Sequence, residues 1–186
     1  MYEVKDFSSL LGTPGFSDVL LNNHFTLYKG YVDNANKLIG ELDKIEKGSI
    51  EYYELKRRLG WEVNGIKLHE LYFQNLSKEK KEVGEKTKAL LMEAYGTMEE
   101  WEASLKRNGT IRGIGWVLLV RDNDTGKLFH TWIGEHNIGL LVNATILLVM
   151  DMWEHAYMVE YGLKKADYVS AFMEAINWDV VEERIG

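Results

Sequence analysis

An aspartate and a histidine lie four residues apart in the last quarter of the chain, at Asp151 and His155. They follow the apolar run from Ile146 to Met150, which is typical of a buried strand. A strand that ends at Asp151 and turns into a helix would direct both side chains toward one point. A carboxylate oxygen and an imidazole nitrogen are ligands for first-row transition metals. Because two ligands do not make a site, the pair predicts further ligands from elsewhere in the chain.

The histidines are the candidates for those ligands, and the chain has five: His24, His69, His130, His136 and His155. His24 and His69 lie on the apolar sides of two predicted helices, where an unpaired imidazole is costly unless something binds it. One cation bound by His24, His69, Asp151 and His155 would satisfy the buried imidazoles. Three nitrogen donors and one oxygen donor suit iron or manganese, and zinc by donor type alone. The residues therefore leave redox and hydrolytic chemistry open.

Length and composition limit the class of protein. At 186 residues the chain is long enough for one ordinary domain or two small ones, and 46 % hydrophobic residues supply a core. A net charge of -7 argues against general nucleic-acid binding, which requires clustered Lys and Arg. The lack of cysteine excludes disulfides and thiolate ligands. The sequence shows no secretion signal and no apolar run that would span a membrane, so we expect a cytoplasmic protein without membrane or nucleic-acid partners.

The hydrophobic pattern predicts an α+β fold. An N-terminal α-helical hairpin domain (residues 1–80) precedes a C-terminal α/β domain (81–186) with a small three-stranded antiparallel sheet, and the metal site is expected at their interface. Helices are predicted at about 18–42, capped by Ser17 or Asp18, and at about 50–76, 86–95, 98–108, 153–161 and 165–176. Strands are predicted at about 115–121, 127–133 and 145–150. Gly60 and Gly65 are candidate breaks in the second helix, and His130 is interpreted as an exposed strand residue.

The chain resembles the iron/manganese superoxide dismutase family over nearly its whole length. Five segments carry the resemblance in the family's order: Tyr31 to Asn36, His69 with Leu71-Tyr72-Phe73, Gly113 to Trp116, the Asp-x-Trp-Glu-His-Ala-Tyr block of Asp151 to Tyr157, and Asn177-Trp178. The fourth segment is the family's signature.

The resemblance implies one iron or manganese ion per chain, bound by His24, His69, Asp151 and His155. It implies disproportionation of superoxide to oxygen and hydrogen peroxide by redox cycling of that ion. Tyr31 is expected to control access and His136 to relay hydrogen bonds to metal-bound solvent, while Trp116 and Trp153 form an aromatic wall. Glu154 is expected at the interface of a homodimer or homotetramer, where it would meet His155 of the other copy.

The chain departs from the family near two of these residues. His24 lies seven residues before Tyr31, whereas the family usually has eight, a position held here by Asn23. Seven residues are close to two helical turns, so His24 and Tyr31 still share a helix face. His136 stands where many manganese members carry a glutamine, and Gly65 stands where many iron members carry theirs.

A second departure concerns a bridge that the family often forms across its dimer between a histidine and a tyrosine. Met158 occupies the tyrosine position, and Leu27 or Tyr28 occupies the histidine position. Both partners are therefore missing together, which predicts an altered entrance to the site. These departures motivate an alternative, a metal-binding protein with weak or no dismutase activity. A helical interaction module without metal leaves the apolar-face histidines unexplained, and a hydrolytic zinc enzyme lacks an obvious catalytic base beside the ligands.

Overall fold

A computed structural model describes all residues from 1 to 186. The elements in chain order are α1 (Asp18–Leu42), α2 (Ile50–Gln74), α3 (Glu85–Tyr95), α4 (Met98–Gly109), β1 (Gly115–Asp122), β2 (Leu128–Gly134), β3 (Ala144–Asp151), α5 (Met158–Tyr161), α6 (Lys165–Glu174) and α7 (Trp178–Ile185), with 3-10 turns at Ser8–Leu10 and Glu154–Ala156. This order confirms the predicted α+β fold, in which a helical hairpin precedes a segment with a three-stranded antiparallel sheet.

The hairpin consists of two 25-residue helices that begin at serine caps and pack against each other. The Ser17 hydroxyl accepts the backbone N–H of Leu20 at 3.2 Å, and the Ser49 hydroxyl accepts that of Tyr52 at 3.1 Å. Each cap satisfies one of the N–H groups that have no partner at the start of a helix. None of the helices is both long and apolar enough to cross a lipid bilayer.

The sheet has the order β2-β1-β3, and both strand pairs are antiparallel. The central strand is buried from Gly115 to Val120, so a continuous apolar run was the expected pattern rather than alternation. Trp116 of β1 lies directly opposite Asp151 of β3 in the sheet register. The register therefore places an indole and a carboxylate together at one end of the sheet.

Two sequence predictions about helices were wrong, and one helix was missed. The second helix has no break at Gly60 or Gly65, because its backbone hydrogen bonds continue to Gln74. The helix predicted near residues 153–161 is a 3-10 turn followed by the one-turn helix α5, because the Tyr157 backbone is not helical (φ -144°, ψ -26°). The last helix, α7, was not predicted, although it buries Trp178, Val181 and Ile185 on one face.

The prediction that His130 is exposed was also wrong. Its ring lies 5.0 Å from that of Tyr95 and 6.2 Å from that of Trp101, between β2 and the helices α3 and α4. The Nδ1 atom of His130 lies 2.9 Å from the hydroxyl of Ser104. Phe129 is the more exposed neighbour. The side of β2 that carries His130 is thus covered by helices.

Candidate metal centre

Four candidate ligands from four elements meet at one point. His24 comes from α1, His69 from α2, Asp151 from the last position of β3 and His155 from the 3-10 turn that follows. One ligand atom from each lies within 4.8 Å of the other three. His24, His69 and Asp151 are buried, whereas the His155 side chain keeps 20 % of its surface exposed. Asn23, at the position that the family spacing favours, is exposed and contributes no atom to the cluster.

The two carboxylate oxygens of Asp151 have different partners, which together orient the side chain. Oδ1 accepts the backbone N–H of Trp153 at 2.8 Å. Oδ2 faces the imidazoles, 3.2 Å from Nε2 of His24 and 3.1 Å from Nε2 of His155. Burial alone would raise the pKa of Asp151, but the imidazoles of His155 and His24 outweigh it and lower that pKa far below its usual range. The carboxylate is therefore anionic, with one oxygen directed at the cluster.

His69 shows most directly that the cluster fits a metal ion. Its Nδ1 lies 2.6 Å from the carbonyl oxygen of Gly65. Because a carbonyl only accepts, Nδ1 carries the proton and Nε2 carries the lone pair. That Nε2 atom is buried and has no hydrogen-bond partner. A buried lone pair without a partner is costly unless a cation binds it, and Nε2 lies 3.8 Å from Oδ2 of Asp151.

The protonation states agree with metal binding. Burial lowers the pKa of His24, and burial together with the neighbouring His24 lowers the pKa of His69 well below its usual value. Both rings are therefore neutral near pH 7, as a metal ligand requires. A set of imidazoles and one carboxylate suits iron, manganese or zinc.

Tyr31 and His136 lie beside the cluster and are joined by a hydrogen bond. The Tyr31 hydroxyl lies 2.9 Å from Nε2 of His136, and the indole N–H of Trp116 donates to Nδ1 of His136 at 3.0 Å. Burial holds the pKa of His136 at about 4 and raises that of Tyr31 above its usual value. The ring of His136 is therefore neutral, and Tyr31 keeps its proton.

Gly65 leaves the space that the Tyr31 ring occupies. A Cβ atom at Gly65 would lie 2.7 Å from Cδ1 of Tyr31, closer than any real contact of this kind. The same ring lies 5.0 Å from that of His69. The absence of a side chain at Gly65 thus allows Tyr31 to pack against the second helix next to a candidate ligand.

Aromatic rings surround the cluster, including one that the sequence analysis missed. Trp116 lies 5.0 Å from the ring of His69, and Trp153 stacks on His136 at 4.9 Å. The missed residue is Trp61, whose ring lies 4.4 Å from that of His136 and 5.6 Å from that of Tyr31. Its position eight residues before His69 on α2 was the available signal, because that spacing keeps both on similar faces of a helix.

The remaining predicted residues lie outside the cluster. Glu154 is exposed and precedes His155 in the 3-10 turn. Met158 is exposed as well, and Leu27 is half-buried. Tyr28 is buried and donates its hydroxyl to Oε1 of Glu70 at 3.1 Å, so it takes part in the packing of α1 against α2. None of these four side chains contributes an atom to the four-residue cluster.

Comparison with known proteins agrees with the geometry. Residues 82–184 match the family described as "Iron/manganese superoxide dismutases, C-terminal domain". The chain is 33 % identical over 177 residues to "Superoxide dismutase [Fe]" of Saccharolobus solfataricus, an alignment that covers 90 % of this chain and 82 % of that protein. It is 35 % identical over 190 residues to the protein of the same name from Aquifex aeolicus, covering 97 % of this chain and 89 % of that one.

The family match covers more than half of the chain and includes Asp151, His155 and His136. The alignments to the relatives extend over most of the hairpin as well. The cluster, its aromatic surroundings and these alignments point to the same conclusion. This chain belongs to the iron/manganese superoxide dismutase family.

Proposed function

We propose that the chain disproportionates superoxide at the four-residue cluster, with His24, His69, Asp151 and His155 as the ligands of one metal ion. The reaction is that of the family, and the single observation that supports this site is the convergence of the four donors, with Nε2 of His69 buried and unpaired. The alternative of a metal-binding protein without dismutase activity is not favoured, because the relatives are named for the activity.

The metal would supply the electron transfer, and the chain would supply the binding and the protons. Held by these residues, iron or manganese would supply the change between trivalent and divalent states by which two superoxide ions and two protons become oxygen and hydrogen peroxide. Asp151 contributes one negative charge, while neutral His24 and His69 contribute none. With a trivalent ion bound, these residues would leave the site cationic, which would favour an anionic substrate. The names of the relatives support iron as the resident metal.

His136 and Tyr31 would hold a proton at the entrance. An indole N–H can only donate, so Nδ1 of His136 accepts from Trp116 and its single proton lies on Nε2. Nε2–H then donates to the Tyr31 oxygen. The hydroxyl proton of Tyr31 is thereby left free to donate to substrate or solvent. Tyr31 thus acts as a donor whose orientation is set by the chain Trp116–His136–Tyr31.

Metal content and activity, measured on the same protein, test this function. The chain would be reconstituted separately with iron and with manganese and assayed for superoxide consumption. We expect about one ion per chain in both cases and activity that scales with bound iron. One ion per chain without superoxide consumption in either form would contradict the proposal.

The role of Tyr31 is tested by Tyr31→Phe. The ring keeps its packing against Gly65 and His69, but the donor is lost. We expect unchanged metal content with turnover or product inhibition altered, by about ten-fold or more if proton donation limits turnover. A variant that loses its metal instead would contradict the assignment of Tyr31 to the entrance.

The proposal includes assembly as a homodimer or homotetramer and a cytoplasmic location. The exposed Glu154, adjacent to the partly exposed His155, supports an interface at this edge of the site. Light scattering on the purified chain and on Glu154→Gln tests the assembly. Fractionation of the native cells tests the location.

A further inference from the structure

Arg58 places a positive charge against the ring of Trp61, beside the candidate site. Its guanidinium carbon lies 3.7 Å from the centre of the Trp61 ring, within the range of a stacked cation–π contact. The Trp61 ring in turn contacts those of Tyr31 and His136. Arg58 is therefore separated from the hydroxyl of the entrance tyrosine by one aromatic ring.

The guanidinium is oriented by a buried carboxylate. Nε of Arg58 donates to Oε1 of Glu62 at 2.8 Å, one helical turn along α2. The Glu62 side chain is 3 % exposed, whereas that of Arg58 is 45 % exposed. The negative charge of the pair is thus buried in the protein, whereas the positive charge is partly exposed to solvent. This is the only hydrogen bond that Arg58 forms within the chain, so its terminal N–H groups stay free to donate to a ligand.

Trp61 is held from its other edge by a strained residue. Its indole N–H donates to Oε2 of Glu135 at 3.0 Å. Glu135 has a positive φ of 50°, and its own N–H donates to the carbonyl of Ile114 at 3.1 Å. A non-glycine residue in this conformation costs about 1 kcal/mol or more, and such strain tends to occur at functional sites. Glu135 immediately precedes His136, so it connects Trp61 to the hydrogen-bonded chain at the entrance.

The charges of Arg58 and Glu62 reach the entrance. After the larger effects of burial and of Asp151, Glu62 raises the pKa of Tyr31 and Arg58 lowers it. Arg58 also lowers the pKa of His136, after burial and the charges of Asp151 and His155. Tyr31 and His136 are therefore both within range of the Arg58 charge, and the Trp61 ring contacts all three side chains.

We propose that Arg58 is a specificity-determining residue that docks small anions at the entrance before they pass Tyr31. The inference rests on the proposed function, because superoxide is the anion in question. A planar guanidinium with free N–H groups binds small oxyanions and linear anions by charge and by hydrogen bonds together. Its stacking on Trp61 and its hydrogen bond to Glu62 fix the direction of the guanidinium, so little side-chain conformational entropy is lost when an anion binds.

Arg58→Gln and Arg57→Gln form a matched pair of variants. Both remove one positive charge from the same turn of α2, but Arg57 pairs with Glu54 and is 69 % exposed. Because Arg58→Gln leaves the buried Glu62 without a partner, the double variant Arg58→Gln/Glu62→Gln removes the pair together. Arg58→Lys keeps the charge. All are prepared as the metal-loaded protein, and metal content is measured first.

The first readout is the second-order rate constant for the reaction with superoxide, measured by pulse radiolysis at several ionic strengths. At about 0.01 M salt we expect Arg58→Gln and the double variant to react about three- to ten-fold more slowly than wild type. The difference should fall below about two-fold near 1 M salt, where charges are screened within about 3 Å. Arg57→Gln should follow the wild-type curve, and Arg58→Lys should recover most of the lost rate.

The second readout is the binding of azide, a small anion that is not turned over. Binding is measured by the change in absorbance. We expect its dissociation constant to rise in Arg58→Gln by a factor similar to the fall in rate. Equal effects of Arg57→Gln and Arg58→Gln, or a salt dependence unchanged in the Arg58 variants, would overturn the inference. Failure of the wild-type protein to consume superoxide would instead overturn the proposed function, so the two failures are distinguishable.

Discussion

The neutral ring of His136 carries one N–H proton, and its hydrogen-bond partners determine whether Nδ1 or Nε2 holds it. Trp116 donates to Nδ1, which fixes the proton on Nε2 and directs it at Tyr31. An imidazole with this tautomer can donate to only one acceptor at a time. The orientation of the Tyr31 hydroxyl thus depends on Trp116, a fully buried residue that contacts Tyr31 only through His136.

Trp116→Phe tests that dependence. Without the indole donor, Nδ1 of His136 can carry the proton, Nε2 can accept from Tyr31, and the chain reverses. We expect metal content to be kept and turnover to fall about ten-fold or more, as when a proton donor is lost. Trp101→Phe is the control, since Trp101 is equally buried and its indole N–H has no partner. Equal loss of turnover in both variants would indicate a packing effect and contradict the tautomer argument.

His130 makes stability depend on pH. Burial among Tyr95, Trp101, Ser104 and Arg107 lowers its pKa to about 4, first by loss of solvent and then by the charge of Arg107. The unfolded chain binds the proton near pH 6.5. Between about pH 6.5 and pH 4 the unfolded state therefore holds more protons, so the free energy of unfolding decreases as the pH is lowered.

We expect His130 to contribute a loss of roughly 3 kcal/mol between pH 7.5 and pH 4. His130→Phe keeps a ring of similar size between the helices and the sheet but cannot be protonated. Urea denaturation of both proteins across this range should give a flatter pH dependence for the variant. Parallel curves for the two proteins would show that His130 stays neutral or exposed in solution.

At the scale of elements, the close approach of α1 to α2 depends on Gly65. Gly65→Ala would press a methyl group against the ring of Tyr31, at an expected cost of about 1–3 kcal/mol. Gly60→Ala is the matched change, because nothing lies within 4 Å of a Cβ at Gly60. We expect Gly60→Ala to stabilise the protein by about 0.5–1 kcal/mol without a change in turnover.

Thermal denaturation and superoxide assays of the two alanine variants separate helix propensity from packing. In Gly65→Ala the Tyr31 hydroxyl must move relative to His136, so turnover should fall as well as stability. Equal stabilisation by both substitutions, with turnover unchanged, would show that Tyr31 adapts freely and that the contact with Gly65 has no functional consequence.

The same elements show what the sequence could and could not predict. Long amphipathic helices and the buried central strand were identified because their periodicity is strong. The side of β2 that faces the helices was assigned wrongly. Leu128, His130 and Trp132 alternate with Phe129, Thr131 and Ile133, and both sets are mostly apolar. Propensity alone predicts breaks at the α2 glycines, because it ignores the packing that maintains a helix.

For the site, the signature around Asp151 and His155 and the histidines on apolar faces led to the four residues that the structure brings together. Trp61 was missed because its contact with His136 joins α2 to the segment after β2, and Arg58 was missed because it reaches the site only through Trp61. No local pattern encodes that approach. It depends on the packing of one half of the chain on the other.

At the scale of the whole molecule, the candidate site takes two ligands from each half of the chain. His24 and His69 belong to the hairpin, while Asp151 and His155 follow the sheet. The division into residues 1–80 and 81–186 stays a prediction, and the halves are also joined by backbone hydrogen bonds from Ser77 to Ala175 and from Asn177 to Asn75, both 2.8 Å. A bound ion would therefore stabilise the contact between halves as well as provide the chemistry.

Removal of the metal should lower the thermal stability of the whole chain. An ion at about one thousand times its dissociation constant stabilises the folded state by roughly 4 kcal/mol. For a chain of this size, that corresponds to a melting temperature lower by roughly 8–16 °C in the metal-free protein. Scanning calorimetry before and after chelation measures this change in melting temperature. The melting temperature of Gly60→Ala should fall by the same amount on chelation, because Gly60 is remote from the ligands.

Zinc separates binding from redox chemistry in the same experiment. Its preferred ligands include imidazole and carboxylate, so it should occupy the cluster and restore the melting temperature. It has no accessible second oxidation state in proteins and should restore no dismutase activity, whereas iron should restore both. His69→Gln should abolish both recoveries, because it removes the lone pair that has no other partner. Unchanged melting temperatures after chelation would mean that the two halves are held together without the ion, and that the site serves the reaction alone.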